Sequence, residues 1–295
     1  MNEGSFILMS KFLININGEL FNESTAKISI FDRGFLYGDS VYESTRTFNR
    51  TPFRINQHLE RLFNSAEKIE LRPTLSRHEI LEAINLTIEA SPHENLFLRI
   101  ILTRGTNSDL GLDPDLAPSN NLIIISKAIL PNPEWWYTTG LSMIFHQQKS
   151  TQRGPLPKSG NYQENILAHK AALANGAFDA IMVNTKGRVT ESSTSNIWLI
   201  KDGIIKTPDL KDGVLEGLTR KTIIEMAAHK NIAIQEISLT PQEFTQADEC
   251  FITSTTRNIV PVTSISGQKI GDGNPGKRTR ELLKMYLNYV SDSKA

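Results

Sequence analysis

The chain predicts an α+β protein of two domains, on three observations. Strand-like segments closed by tight-turn signals alternate with segments of helical periodicity along its whole length. Prolines interrupt the pattern near Pro131, and 295 residues, 39% of them hydrophobic, suffice to bury two medium cores. The 32 basic and 32 acidic residues cancel, so no net field draws the chain to nucleic acid or to an anionic membrane. No run approaches the ~20 apolar residues of a membrane span, and the stretch from Met1 to Ser10 is too interrupted for a secretory signal, so a cytoplasmic location is expected. The single cysteine, Cys250, reads as a buried strand residue within Cys250-Phe-Ile-Thr.

The stretch from Lys11 to Asn17 alternates in polarity and ends in Asn17-Gly18, whose tolerance of positive φ suits a tight hairpin. Lys27 to Phe31 and Ser40 to Phe48 read as further strands. Leu59, Leu62, Phe63, Ala66 and Ile69 recur at helical spacing and put Arg61 on an amphipathic helix. Ser76-Arg-His-Glu79 is a capping box before a second helix carrying Ile80, Ile84 and Ile88. Leu96 to Thr103 and Leu122 to Ser126 complete a small α/β domain over residues 1–130. Pro131-Asn-Pro133 opens a linker, 131–140, because prolines break both ladder and helix. The second domain, 141–295, repeats strand, turn and strand, with strands at Asp179 to Asn184 and Asn196 to Ile200 and turns at Lys186-Gly187 and Asp202-Gly203. Its helices run from Glu164 to Asn175 with Gly176 at the C-cap, from Thr219 to Lys230, and from Gly276 to about Val290. No internal repeat or low-complexity tract is present, and nearly all of the chain is expected to be ordered.

Two segments carry the chemistry. Pro157-Lys158-Ser-Gly-Asn161-Tyr162 supplies a lysine, and Gly187-Arg-Val-Thr-Glu191-Ser-Ser-Thr-Ser-Asn196-Ile-Trp198 supplies a carboxylate. Taken singly, each is an ordinary surface charge. Together they meet the needs of a pyridine aldehyde: an amine that holds the aldehyde as a Schiff base, and a carboxylate that keeps the ring nitrogen protonated so that the ring accepts electrons. Val214-Leu-Glu-Gly217-Leu-Thr-Arg220 opens a helical pattern and Thr253-Ser-Thr-Thr256 closes a strand, and each can turn backbone amides toward a phosphate. Read plainly, Thr219 is an N-cap, Ser254 and Thr255 are turn residues, and Arg61 is a helix-surface charge.

The order and wording of these segments resemble the fold-type IV enzymes that use pyridoxal 5'-phosphate (PLP), from about Phe12 onward. That family contains branched-chain aminotransferases, D-amino-acid aminotransferases and 4-amino-4-deoxychorismate lyases. The resemblance implies a β-rich pseudo-barrel for the second domain, PLP as cofactor, no metal, and a homodimer. It implies that Lys158 carries the cofactor and acts as general acid and base, while Glu191 partners the ring nitrogen. Leu215 would pack on the ring, with Tyr162 near it. Arg61, within His58-Leu-Glu-Arg61-Leu62, would bind the phosphate together with Leu218, Thr219, Ser254 and Thr255.

For the substrate, Tyr42-Glu43-Ser-Thr-Arg46 and Phe97-Leu-Arg99 resemble the branched-chain type. Tyr37 and Tyr42 would face the side-chain pocket, and Arg99, Arg46 and the turn ending at Thr256 would hold carboxylate. The D-amino-acid enzymes place an arginine and a histidine where this chain has Asp109 and Gly111, and Leu110-Gly-Leu-Asp-Pro114 again resembles the branched-chain type. Two departures stand out. Lys158-Ser-Gly-Asn-Tyr162 is one residue shorter than its branched-chain counterpart, and Thr256-Arg257-Asn258 replaces a turn of small residues. Arg257 is either a contact for a dicarboxylate or chorismate-like substrate or a surface charge. The expected activity is an aminotransferase of amino-acid biosynthesis, moving the amino group of an L-amino acid, branched-chain by preference, to 2-oxoglutarate. The alternatives are a lyase releasing pyruvate and 4-aminobenzoate, a D-amino-acid aminotransferase, and a non-catalytic binding protein, against which the intact Lys158, Glu191 and Arg61 set stands.

Overall fold

In the computed structural model, which describes residues 11–149 and 156–292, the chain divides into two compact units. The first is Met1–Leu130 with Pro157–Asn161, and the second is Pro131–Leu156 with Tyr162–Ala295. The lysine-bearing segment therefore groups with the first unit, whereas the sequence places it in the second domain. Backbone pairing is the reason: Tyr42 N donates to Lys158 O and Gly160 N to Ser40 O, each at 2.9 Å.

The first unit is a six-stranded antiparallel sheet of order β2-β1-β6-β5-β3-β4, with β1 at Leu13–Ile16, β2 at Glu19–Asn22, β3 at Ser40–Phe48, β4 at Thr51–Pro52, β5 at Leu96–Thr103 and β6 at Asn121–Ala128. Asn17 and Gly18 adopt φ of 53° and 93°, which makes the first hairpin turn as expected. Lys27 to Phe31 is not a strand. It ends in a turn, with Asp32 N donating to Ser29 O at 3.1 Å, and leads into a short helix, α1 (Arg33–Tyr37), capped by the Asp32 side chain. Ile28, Ile30 and Phe31 are 45%, 66% and 44% exposed. Alternation marks a strand only where one face finds something to bury against, and among the described residues of this chain these side chains find little.

Alternation in β3 and β5 sorts their residues onto two faces. Val41, Leu96, Leu98, Ile100 and Leu102 pack with Leu59 and Leu62 of α2 (Ile55–Lys68) and with Ile80 and Ile84 of α3 (Arg77–Ala90). The expected capping box forms: Ser76 accepts from Glu79 N, and the Glu79 side chain accepts from Ser76 N. On the opposite face, the register Tyr42↔Ile101 and Ser44↔Arg99 sets Tyr42 and Arg99 side by side.

The second unit opens with α4 (Trp135–Thr138) and β7 (Leu141–Gln147), followed by α5 (Gln163–Ala174), β8 (Asp179–Val183) and β9 (Val189–Ser192). Then come β10 (Asn196–Lys201), β11 (Ile204–Pro208), α6 (Leu218–His229), β12 (Ile234–Ile237) and α7 (Pro241–Thr245). It closes with β13 (Glu249–Ser254), β14 (Asn258–Ile265), β15 (Gln268–Lys269) and α8 (Lys277–Asp292). Its nine strands run β12-β11-β10-β13-β14-β7-β8-β9, with β15 on β14. The sheet curls on itself: Val189 of β9 bridges to Leu239, just past β12 at the far end of that order, with Val189 N donating to Leu239 O at 2.8 Å. The parallel pairs β7–β8 and β11–β12 need long connections, and α5 and α6 lie on them. Residues 131–140 are no free spacer, because Trp136 and Tyr137 pack against the core of Leu141, Met143, Ile197, Ile252 and Val260. Cys250 is buried in β13 as read, and burial pushes its thiol pKa up, which keeps it unreactive. Among the described residues, no helix is long and apolar enough to cross a membrane.

Candidate active site

In the first unit, the segment carrying Lys158 runs antiparallel beside β3, with an isolated bridge between Val41 and Ser159. That register puts Lys158 opposite Tyr42, on the face that also carries Arg99. Lys158 Nζ lies 4.6 Å from the centre of the buried Tyr42 ring, and the Arg99 guanidinium carbon lies 4.2 Å from it. Two cations share one aromatic ring, each contact worth about 0.5–2 kcal/mol depending on desolvation. The Tyr42 side chain thus fixes both an amine and a guanidinium, one able to react with a carbonyl and the other to pair with a carboxylate. The Lys158 backbone is fixed as well, its N–H donating to Ser65 Oγ at 3.1 Å.

Arg61 is not on a solvated helix face. Its Nε donates to Glu43 Oε1 at 2.6 Å and its Nη2 to Glu43 Oε2 at 2.7 Å, while His58 Nδ1 reaches Glu43 Oε2 at 2.7 Å. Glu43 and His58 are completely buried. Burial opposes ionisation of Glu43, but the charge and hydrogen bonds of Arg61, reinforced by His58, hold its pKa down at about 2. Burial pushes the His58 pKa below its ordinary value despite the neighbouring carboxylate. A neutral His58 donates from Nδ1, leaving Nε2 buried without a hydrogen-bond partner in the described structure. Sequence reasoning passed over Glu43 and His58. The available signal was their company: an acid at a core-facing position of β3 needs a cation from the helix above it.

Of the other substrate candidates in this unit, Arg46 lies over the Phe48 ring at 4.1 Å, and Tyr37 is half-exposed at the end of α1 with its hydroxyl donating to Leu110 O at 2.6 Å. A further missed residue, Arg33, is buried and organises the loop past Asn107. It donates to the carbonyls of Gly111, Leu112 and Asp113 at 3.3, 3.1 and 3.2 Å, and to Asp39 at 2.8 Å. Burial raises the Asp39 pKa, but hydrogen bonds from Arg104 and Arg33 outweigh it and keep that carboxyl below its usual value.

In the second unit, Glu191 stands on β9, and its Oε2 accepts from Asn196 Nδ2 at 3.3 Å and from Leu215 N at 3.2 Å. Asn196 Nδ2 also donates to Leu215 O at 2.9 Å, so one amide ties the carboxylate to the loop before α6. The N-cap of that helix is Gly217, not Thr219, and no side chain caps it. Leu218 and Thr219 form its buried first turn, and its uncapped amides suit an anion. Gly217 is required for space: a Cβ there would fall on Asn196 Oδ1. Tyr162 immediately precedes α5.

Between β13 and β14 the turn of Ser254, Thr255, Thr256 and Arg257 is tied back through its carbonyls. Asn132 Nδ2 donates to Thr256 O at 3.0 Å and Tyr137 Oη to Arg257 O at 3.1 Å. Ser254 Oγ accepts from Arg257 N at 3.4 Å, which leaves its own hydrogen to give. No acceptor in the described structure takes the amides of Thr255 or Thr256. Successive amides without acceptors, beside hydroxyls, make an anion cradle. Arg257 itself is neither a surface charge nor positioned by a carboxylate: its Nη1 donates to Thr194 Oγ1 at 2.8 Å and Ser195 Oγ at 3.1 Å. Among the described residues no cluster of His, Cys, Asp and Glu could hold a metal ion.

The model of the family "Amino-transferase class IV" matches residues 40–265. A Methanocaldococcus jannaschii protein provisionally assigned as a branched-chain-amino-acid aminotransferase is 33% identical, over 92% of this chain and 94% of its own. A D-alanine aminotransferase of Listeria monocytogenes is 32% identical, over 94% and 95%. Among solved structures, the branched-chain amino acid aminotransferase of Escherichia coli superposes with a TM-score of 0.86 at 26% identity, covering 94% of this chain and 93% of that one. The span of the family match takes in Lys158, Glu191, the start of α6 and the β13–β14 turn, the same residues the geometry singles out, and the chain belongs to the class IV aminotransferases.

Proposed function

We propose that the chain moves the amino group of an L-amino acid, branched-chain by preference, to 2-oxoglutarate, with PLP as its cofactor. The observation that carries this reading is the placement of Lys158 and Arg99 against one Tyr42 ring, an amine and a guanidinium held by the same aromatic side chain. The residues fit the cofactor: the acceptor-free amides of Thr255 and Thr256 and the uncapped start of α6 suit a phosphate, and Glu191, oriented by Asn196, suits a ring nitrogen. When bound, PLP supplies an aldehyde that condenses with amines and a ring that takes up electron density. Lys158 Nζ then moves a proton to and from the substrate α-carbon, and Glu191 keeps a proton on the ring nitrogen. Arg99, with Arg46 and Thr256, holds carboxylate, while Tyr42 and Tyr37 bound an apolar space. Arg61 binds phosphate, and Tyr162 and Leu215 flank the ring. The family's homodimer, a cytoplasmic setting and a role in amino-acid biosynthesis complete the reading.

D-alanine is the second reading, because the Listeria relative is as similar as the archaeal one. Against it, the loop positions Asp109 and Gly111 offer no cation, and the Gly111 carbonyl is engaged by Arg33. A half-reaction screen decides. L-leucine, L-isoleucine or L-valine should convert the purified holoenzyme to its amine-loaded spectrum and 2-oxoglutarate should restore it, while D-alanine stays slow. Arg99→Ala should weaken amino-acid binding by about 2 kcal/mol. Faster conversion by D-alanine supports the second reading, and release of pyruvate and 4-aminobenzoate from aminodeoxychorismate without any response to branched L-amino acids overturns both.

A further inference from the structure

Arg257 is engaged through both its side chain and its backbone. Its guanidinium lies over the rings of Phe178 and Trp136, at 5.4 and 5.8 Å, and its hydrogen bonds go to the hydroxyls of Thr194 and Ser195. Those hydroxyls stand in the tight loop after Glu191, where Ser192 N donates to Ser195 O at 2.7 Å. The backbone of the same arginine belongs to the turn that carries Ser254, Thr255 and Thr256, with its N–H on Ser254 Oγ and its carbonyl held by Tyr137. The β10–β13 ladder, in which Asn196 pairs with Thr253, brings the ends of two loops together, and Arg257 ties the loops themselves: one follows the carboxylate, the other presents the acceptor-free amides.

We propose that Arg257 is a positioning residue that locks the Ser254–Thr256 turn to the Ser192–Ser195 loop and so fixes the spacing between the anion-binding amides and Glu191. This rests on the reading that the two ends hold the phosphate and the ring nitrogen of PLP. The phosphate is joined to the flat ring by only a short arm, so the two ends must be met within a narrow range of separations, and a site has to hold such groups to within about 0.5 Å. Arginine suits the task because one nitrogen of its planar fork donates to both hydroxyls while its face stacks on aromatic rings, which a lysine cannot reproduce.

The test compares PLP with pyridoxal, which has the ring and aldehyde but no phosphate. In titrations of apoenzyme followed by absorbance, Arg257→Met should raise the Kd for PLP by about tenfold or more, while the Kd for pyridoxal moves by less than about twofold. A purely structural role would lower Tm and shift both ligands together, and that outcome, or no change in either, overturns the proposal. Should Arg257→Met fail to fold, the double substitution Thr194→Val, Ser195→Ala removes the hydroxyl partners and should shift the PLP to pyridoxal ratio in the same direction; an unmoved ratio overturns it equally. If the wild-type chain binds neither ligand, the PLP reading itself is wrong and the proposal falls with it.

Discussion

Glu43 grips Arg61 with both carboxylate oxygens, at 2.6 and 2.7 Å, from a position that has no solvent exposure. Removing the arginine alone therefore strands a buried charge, which costs about 3–5 kcal/mol when one partner of such a pair is lost. Arg61→Ala should lower Tm and weaken PLP binding together. The double substitution Glu43→Gln, Arg61→Met should recover most of the stability, because neither buried charge remains, yet keep the weak PLP affinity. Thermal melts with PLP titration separate the two effects, and recovery of PLP affinity in the double variant would return Arg61 to a purely structural role.

Lys158 is anchored through its backbone to Tyr42 and Ser65, so its segment stays beside β3 when the side chain and its contact with the Tyr42 ring are removed. Lys158→Ala should melt close to the wild type and lose all turnover. Borohydride treatment of the holoenzyme should fix the cofactor to the peptide containing Lys158. Recovery of the label on Lys149 or Lys170 instead would sink the assignment.

Gly217 has φ of −68° and ψ of 135°, a conformation open to any residue, so its importance is one of space alone. A methyl group there displaces Asn196, which orients Glu191 and holds Leu215 O. Gly217→Ala should raise the Kd for PLP by about tenfold, on the scale of one charge-assisted hydrogen bond, and alter the absorbance of the bound cofactor. Wild-type affinity and spectrum in this variant would show that the Asn196 link is not needed.

Stability should fall on acidification in two stages. The His58 pKa is depressed from the ordinary 6.5, so the unfolded chain takes up that proton first, and its contribution, full above 6.5, is lost as pH drops below it. Glu43, ordinarily near 4.5 and held at about 2, contributes fully above 4.5 and loses its contribution as pH falls toward 2. Chemical unfolding at pH 8, 5.5 and 4 should show both losses in the wild type, whereas His58→Asn should be flat between pH 8 and 5.5. An equal early loss in that variant would assign it to other groups.

Local periodicity determined most elements by itself. The hairpin at Asn17-Gly18, the strands Ser40–Phe48 and Leu96–Thr103 and the capping box at Ser76 depend on φ preferences, alternation and short-range hydrogen bonds that neighbouring residues dictate. The segments around Lys158 and Glu191, and the turn at Ser254 to Thr256, stand out in the sequence because the chemistry expected of them demands particular residue types in a particular order. What pairs with what was not legible. Lys27 to Phe31 alternates like a strand but stays largely exposed among the described residues, and the Lys158 segment joins the first unit through backbone pairing with β3, more than a hundred positions upstream. Glu43 beneath Arg61, Arg33 behind the loop past Asn107 and Arg257 between two loops are likewise decided by tertiary structure, because a buried charge is stable only beside partners that the fold brings in from distant positions.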